Sequence, residues 1–371
     1  DWGPVARRVR NEATDNWDDG VAVERLEGKG ARFVRGRARV VGPREIEVDG
    51  ERVSARRALV LSTGASAFVP DMFKAVPHWI NRDAMECEVL PESLLIIGGG
   101  AIGLEIGQAM SRFGVQVRVV EAGPRLVGPE EPEASKLIER LLREEGIGVH
   151  TNCAIESVSP WGDGGAAVRL ASGEEVAGER MLVATGRRVN LAALGVGALG
   201  LDESARALPV DGFMRVPDVD GVWGVGDITG KGAFTHVSMY QARICLASIL
   251  GQPTQEADYR ALPRVTFTDP EIGSVGMTEA QAREEDGVVA VMSYPIDQST
   301  RGWIHRGQGL VKLVALDGVG VGGTSMGPMG GEVLGLLELA VHARVPVETL
   351  KSMIYAYPTF YRAIDAAVRS E

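Results

Sequence analysis

The sequence predicts an α/β protein in which two parallel-sheet units of similar design are followed by an α+β region. Three observations predict it. The stretch Leu94–Glu121 reads as strand, glycine turn, helix and second strand. Two other strands, each following a short meander, end in a small residue, threonine and glycine: Ser62-Thr63-Gly64 and Ala184-Thr185-Gly186. From Ala261 onward the pattern changes to strand-like runs between and before helices, one of them apolar nearly all round.

The first observation is the most specific. Leu94 to Ile97 form an apolar run that reads as a buried strand, and the chain then turns through Gly98, Gly100 and Gly103 into helical spacing. Gly98 permits the tight turn, Gly100 lets backbone approach a pyrophosphate, and Gly103 lets the helix pack close to the strand. The helix opens at Ala101 and Ile102, where unpaired amides and the dipole favour phosphate. Its apolar face is Ile102, Ile106, Ala109, Met110 and Phe113, and Gly114 ends it. Gln116 to Val120 is the second strand. It ends in Glu121, about 20 residues on from the glycines, where a carboxylate binds ribose hydroxyls and repels a 2′-phosphate. The pattern therefore favours NAD over NADP, with Arg118 and Arg125 softening the preference. A dinucleotide is expected, and the motif alone does not separate NAD from FAD.

Composition narrows the class. A chain of 371 residues has room for two or three domains. A net charge of −11 without any basic run argues against a nucleic-acid partner. The longest apolar stretch is broken by glycines and falls short of the roughly 20 residues a membrane helix needs. Arg7, Arg8 and Arg10 are followed by acids rather than an apolar run, so no signal peptide is read and a cytoplasmic protein is expected. Cys87, Cys153 and Cys245 have no metal-ligand or CxxC spacing and read as buried free thiols. His78, His150, His236, His305 and His342 are equally scattered, so no structural metal is expected. The chain opens at Asp1 as though in mid-helix, which reads as a fragment.

Taken in order, residues 1–30 read as a polar helix, and short β-like runs follow at Phe33-Val34, Ala38–Val41, Glu45–Val48 and Ala58–Leu61. After Glu121, a helix carrying Ala134, Leu137, Ile138, Leu141 and Leu142 on one face starts near Pro129. Its acids Glu130, Glu131 and Glu133 read as dipole partners. Strands follow at Ile147–Val149, Ile155–Val158, Ala167–Leu170 and Met181–Val183. Residues 187–221 read as loop. Gly221–Val225 is a strand running into Gly226-Asp227, where a carboxylate at a strand end can hold cofactor hydroxyls, and a helix follows from about Phe234 to Leu250. The C-terminal region adds strands at Val265–Phe267, Ile272–Val275, Val288–Ser293, Leu310–Ala315 and Val319–Thr324. It also adds helices at about Thr278–Glu285 and Glu332–Ala343, the latter to be buried.

Six stretches together carry a family resemblance: GGGAIGLE at Gly98–Glu105, STG at Ser62–Gly64, ATGR at Ala184–Arg187, GVGD at Gly224–Asp227, FTDPEIGSVGMTE at Phe267–Glu279 and AYPTF at Ala356–Phe360. In their order along the chain they resemble the pyridine nucleotide-disulfide oxidoreductases, the flavoproteins that include dihydrolipoamide dehydrogenase, glutathione reductase and mercuric reductase. The resemblance implies FAD as well as NAD, and a homodimer. It implies an α/β chain of two Rossmann-like nucleotide-binding domains plus an α+β C-terminal dimerisation domain. Residues 1–80 and 210–258 would form the FAD-binding domain without its N-terminal part, 81–209 the NAD(P)-binding domain and 259–371 the dimerisation domain. The family's first GxGxxG and its redox-active CxxxxC would precede Asp1.

The resemblance also assigns residues. Thr63, Gly64 and Ala65 match an FAD contact, Asp227 the acid on the ribityl chain, and Ala233, Phe234, Thr235 and His236 the loop against the flavin pyrimidine edge. Gly186 matches an NAD contact and Glu105 the acid near the nicotinamide. By themselves His236 reads as a structural histidine and Glu105 as a first-turn acid. One departure stands out. Where dihydrolipoamide dehydrogenase and glutathione reductase have a histidine before Pro-Thr and a glutamate five positions later, this chain has Tyr357 and Arg362. A phenol is only about one part in a thousand ionised at pH 7, so it does not replace that base. Mercuric reductase resembles this chain in its tyrosine, but its C-terminal cysteine pair has no counterpart before Glu371.

The expected function is an FAD-dependent NAD(P)H oxidoreductase passing electrons from NADH to a disulfide, quinone-like or metal acceptor, with Tyr357 lining the acceptor side. A diverged dihydrolipoamide dehydrogenase or mercuric-type reductase is the alternative among enzymes. A dimeric nucleotide-binding sensor or scaffold without turnover is the alternative outside them.

Overall fold

The apolar run Ser93–Ile97 becomes an inner strand of a four-stranded parallel sheet in the computed structural model, which describes residues 1–370. The strand order is Arg180–Val183, Ser93–Ile97, Gln116–Val120, Gly148–His150. An inner parallel strand is covered on both faces, and Leu94, Leu95 and Ile96 are accordingly sealed from solvent. The crossover helices are Ala101–Arg112 and Pro132–Glu144. The second buries Ala134, Ile138, Leu141 and Leu142, while Lys136 and Arg143 face outward. A three-stranded antiparallel meander, Ile155–Trp161, Gly165–Leu170 and Glu175–Gly178, leads back to the sheet.

The C-terminal region is a five-stranded antiparallel sheet in the order Pro263–Thr266, Glu271–Gly276, Val319–Gly327, Leu310–Leu316, Val289–Pro295. Helix Gly330–His342 packs on one face through Val333, Leu334, Leu337, Ala340 and Val341. On that side Gly273 and Gly323 give it room, since a Cβ on either would press on Leu334 or Leu337. The register places Lys312 opposite Thr324, and Thr324 opposite Ser274. These three share the other face, where Lys312 is wholly buried. Residues 1–6, 69–185 and 259–370 form one compact unit, and Ile272 and Met326 of the five-stranded sheet join the same apolar core as the parallel sheet.

The second unit comprises residues 7–68 and 186–258. It contains an antiparallel meander, Ala38–Gly42, Glu45–Val48 and Glu51–Ser54, and a parallel pair, Leu59–Leu61 with Val222–Gly224. The segments that follow the two Thr-Gly turns pair with each other, Ser66–Ala67 against Arg187–Arg188. Its core gathers Val40, Leu61, Leu191, Val196, Leu208, Val222 and Ile228. The helix Thr235–Leu250 closes the unit.

Several expectations need correction. The polar helix of residues 1–30 is three short pieces, Gly3–Arg8, a π turn Val9–Ala13, and Gly20–Glu27. Asp15, Asn16 and Trp17 separate them at φ of 46°, 58° and 64°, the left-handed region that Asp and Asn tolerate and a helix does not. Phe33-Val34 is not a strand. The loop after Arg188 holds a helical turn, Leu191–Leu194, capped by the Asn190 side chain accepting from Ala193 N. Helices Thr300–His305, Val347–Ser352 and Arg362–Arg369 had no forecast. Cys87 and Cys245 are buried, but Cys153 is partly exposed. Among the described residues no helix is long and apolar enough to cross a membrane.

Candidate functional site

The glycine turn in the first unit is shaped by contact. Gly98 sits at φ +105°, and a Cβ there would stand 2.4 Å from Ala184 O. A Cβ on Gly103 would stand 2.4 Å from Gly98 O, so only glycine lets the helix come this close. Gly100 differs: nothing lies within 4 Å of its would-be Cβ. That open space faces the start of a helix with no side-chain cap. The first bond into the helix is Leu104 N to Gly100 O at 3.1 Å, leaving the amides of Ala101, Ile102 and Gly103 without an intrahelical acceptor. An open cradle lined by such amides fits a pyrophosphate.

Glu121 stands at the end of the neighbouring strand. Gly99 N donates to its Oε2 and Gly123 N to its Oε1, each at 2.6 Å, which fixes the carboxylate beside the glycine turn. The two arginines that soften a preference for NAD are both engaged with protein oxygens. Arg125 Nη1 donates to Glu130 O at 2.6 Å and Ser135 Oγ at 2.9 Å, and Arg118 Nη1 to Ala177 O at 3.4 Å. The fixed carboxylate, an acceptor for ribose hydroxyls, fits the adenosine-ribose end of a dinucleotide.

Further along the glycine-turn helix, Glu105 Oε1 accepts from Phe267 N at 2.8 Å. Burial pushes the Glu105 carboxyl above its usual 4.5, with the Phe267 N–H acting in the opposite sense. The same helix face grips the Phe267–Asp269 segment twice more. Gln108 Nε2 donates to Asp269 O and Asp269 N donates back to Gln108 Oε1, both at 2.8 Å. Arg112 binds Glu145 at 2.8 Å and Asp269 at 2.7 Å. Sequence reasoning gave Gln108 and Arg112 no such task, because their partner lies about 160 positions away.

The acids read as dipole partners have a second role. Lys312 Nζ donates to Glu131 Oε2 and Glu133 Oε1 at 2.9 Å, and lies 2.8 Å from Glu279 Oε2. Glu131 also accepts from Glu279 N at 2.6 Å, and Glu130 pairs with Arg264 at 3.2 Å. The whole Glu130–Glu133 corner is thereby fastened to the five-stranded sheet.

In the second unit, Arg187 joins two of the expected site segments. Its guanidinium donates to Ala65 O of the Ser62–Ala65 turn and lies 3.4 Å from Asp227 Oδ2. Sequence reasoning quoted Arg187 within ATGR but assigned it nothing; its place immediately after Gly186 was the available signal. Gly226 N donates to Gln241 Oε1 at 2.6 Å and Gln241 Nε2 to Thr229 Oγ1 at 3.0 Å, so the Asp227 turn is locked onto helix Thr235–Leu250. That helix starts without a side-chain cap, just after Ala233 and Phe234. The Phe234 and His236 rings stack at 5.1 Å. Gly64 and Gly186 sit at φ +69° and +124°, with nothing within 4 Å of a would-be Cβ on either. A partly exposed carboxylate, an uncapped helix start and an open Thr63-Gly64 turn fit the hydroxyl-rich and anionic parts of a flavin nucleotide. Gly186 belongs to this unit, whereas the other expected nicotinamide-nucleotide contacts belong to the first.

Tyr357 is 65% exposed, and its hydroxyl donates to Thr300 Oγ1 at 3.1 Å. Arg362 places its guanidinium 5.4 Å over the Tyr357 ring.

Comparison with known proteins agrees with this arrangement. Residues 6–242 match the family described as pyridine nucleotide-disulphide oxidoreductase, and residues 262–368 match that family's dimerisation domain. The chain is 29% identical over 344 residues to a dihydrolipoyl dehydrogenase of Bacillus subtilis (strain 168), covering 90% of this chain and 73% of that protein. It is 33% identical over 353 residues to a mercuric reductase of Streptomyces lividans, covering 92% and 74%. Among solved structures, LpdA of Mycobacterium tuberculosis superimposes with a TM-score of 0.84 at 25% identity, covering 99% of this chain and 83% of that one. The HOCl-induced flavoprotein disulfide reductase RclA of Escherichia coli gives 0.88 at 24% identity, covering 99% and 86%, a likeness of fold. The dimerisation-domain match supports a homodimer. The chain belongs to the pyridine nucleotide-disulphide oxidoreductase family and is an NAD(P)H-dependent flavoprotein oxidoreductase.

Proposed function

We propose that the chain takes electrons from NADH, by way of FAD, to a disulfide, quinone-like or metal acceptor, and that Tyr357 lines the acceptor side. The observation that carries the choice of NADH is the fixed Glu121 carboxylate. Held by Gly99 and Gly123, it accepts ribose hydroxyls and repels a 2′-phosphate, and Arg118 and Arg125 are engaged elsewhere.

FAD, when bound, supplies a carrier that nicotinamide reduces and an external acceptor reoxidises. The chain's own residues bind and orient. The Gly98–Gly103 turn holds the dinucleotide pyrophosphate on free amides, and Gly186 is a nucleotide contact in its own unit. Glu105 is the acid near the nicotinamide. Thr63, Gly64, Ala65 and Asp227, steadied by Arg187, hold the flavin nucleotide, and Ala233–His236 present an uncapped helix start to it. Tyr357, its hydroxyl proton given to Thr300 Oγ1, lines the acceptor side and leaves its oxygen to accept a hydrogen bond. In domain terms, residues 1–80 with 210–258 would serve FAD, 81–209 the nicotinamide nucleotide and 259–371 dimerisation.

An anaerobic NADH titration of the flavin-loaded protein, followed in the visible spectrum, tests this reading. A new long-wavelength band after two electrons assigns the acceptor side to a cysteine pair. Plain bleaching assigns it to an external acceptor, and no change overturns the reading in favour of a non-catalytic sensor. Tyr357→Phe should alter acceptor turnover and leave the NADH-driven bleaching rate as it was; loss of bleaching would remove Tyr357 from the acceptor side.

A further inference from the structure

Beside Tyr357 lies a pocket of about 90 Å³ whose polar lining includes Gln298, Thr300, Arg301, Tyr357, Thr359 and Arg362. It carries two guanidinium groups and no carboxylate, in a chain whose net charge is −11. The local excess of positive charge is therefore not a sample of the average surface. Neither arginine is neutralised closely. Arg301 sits 5.5 Å over the Phe360 ring and has no acid partner among the described residues. Arg362 lies 3.8 Å from Asp365, but that carboxylate is taken at 2.6 Å by Arg369.

Size and charge together restrict the occupant. A pocket of this size, open to solvent, has room for an oxyanion. Guanidinium groups favour planar or tetrahedral oxyanions through paired N–H donors, and the Thr300 hydroxyl and the Gln298 carboxamide supply more donors, the Tyr357 and Thr359 hydroxyls being given to Thr300 Oγ1 and Ala356 O. The same two charges repel a bare metal cation.

We propose that this pocket binds the anionic head of the electron acceptor, which makes the acceptor a molecule bearing a carboxylate, sulfonate or phosphate. The proposal rests on the reading of Tyr357 as an acceptor-side residue. The reacting part of the acceptor extends past the Tyr357 ring, while its anionic group sits between Arg301 and Arg362.

The test uses the full, flavin-loaded chain, its nucleotide cradle filled by saturating NAD+ in the calorimetry and by saturating NADH in the turnover assay. Inorganic phosphate is titrated calorimetrically, and NADH-dependent reduction of 1,4-naphthoquinone-2-sulfonate is measured with and without it. Phosphate should bind and raise the KM for the sulfonated quinone without lowering kcat. Arg301→Gln and Arg362→Gln should each weaken phosphate binding about tenfold or more, with Arg301→Lys recovering part of the loss. Absence of phosphate binding, or binding unchanged in both glutamine variants, overturns the pocket. Phosphate that binds without raising the KM marks a free-phosphate site and overturns the assignment to the acceptor. If Tyr357→Phe leaves quinone turnover unchanged while phosphate still competes, the reading of Tyr357 fails and the pocket stands.

Discussion

Lys312 Nζ lies 2.9 Å from Glu131 Oε2, and the two side chains are only 2% and 4% exposed. A buried ammonium survives only with close counter-charges, here three carboxylates. Burial works against the lysine's charge, but the acids outweigh it and hold its pKa above the ordinary 10.5.

Lys312→Met should lower stability by about 3–5 kcal/mol, because it leaves a buried acid unpaired. Glu133→Gln should cost under about 1 kcal/mol, since Glu133 is 53% exposed. Urea denaturation of the two variants measures the difference. The pH dependence follows from Glu279, whose carboxyl is held below its usual 4.5 chiefly by the Lys312 hydrogen bond and then by Arg283. A depressed carboxyl contributes stability above 4.5 and loses it as pH falls through the lowered value. The deficit of Lys312→Met against the wild type should therefore shrink on acidification.

Gly100→Val should separate binding from folding. Its Cβ enters open space, so the thermal midpoint should hold, while the branched side chain fills the cradle and weakens NADH binding by about tenfold or more. Gly98→Ala should do the reverse, destabilising the fold through its clash with Ala184 O at 2.4 Å. Differential scanning calorimetry beside a nucleotide titration distinguishes them.

Glu121→Ala should raise the Kd for NADH by about tenfold and leave NADPH nearly unaffected, narrowing the preference. Direct titration with each nucleotide reads the ratio. A parallel loss for both would mean that the carboxylate acts by holding the Gly99 and Gly123 amides rather than by meeting the ribose.

Arg187→Met removes the donor shared by Ala65 and Asp227. Purified variant protein should retain less flavin, with the ratio of visible to ultraviolet absorbance falling severalfold, while Arg188→Met should retain its flavin.

The parts readable from sequence are those whose cause is local. Apolar runs made the parallel strands, the spacing of Gly98, Gly100 and Gly103 made the turn, and the acid after Val120 fell where the strand ends. Helix Thr300–His305 was unreadable because six residues make fewer than two turns, too short to show a period by itself, whereas Arg362–Arg369 does place Ala363, Ile364, Ala367 and Val368 at helical spacing, a signal that was available. Lys312 and Arg187 were silent for another reason. Their partners lie 181 and 122 positions away, and a charged residue carries no sign of the distant charge it will meet. Arg362 was visible only as a departure from its relatives; that it caps the Tyr357 ring needed coordinates.

The Lys312 cluster also bears on how the first unit assembles. Glu131 and Glu133 arrive from one end of a loop of about 180 residues and Lys312 from the other. A chain in which the five-stranded sheet has closed but the helix Pro132–Glu144 has not would hold a cation in apolar surroundings with two of its three anions absent. Such half-formed species carry a penalty that neither the native nor the fully open chain does, so the parallel sheet and the five-stranded sheet should melt in a single cooperative step rather than one after the other.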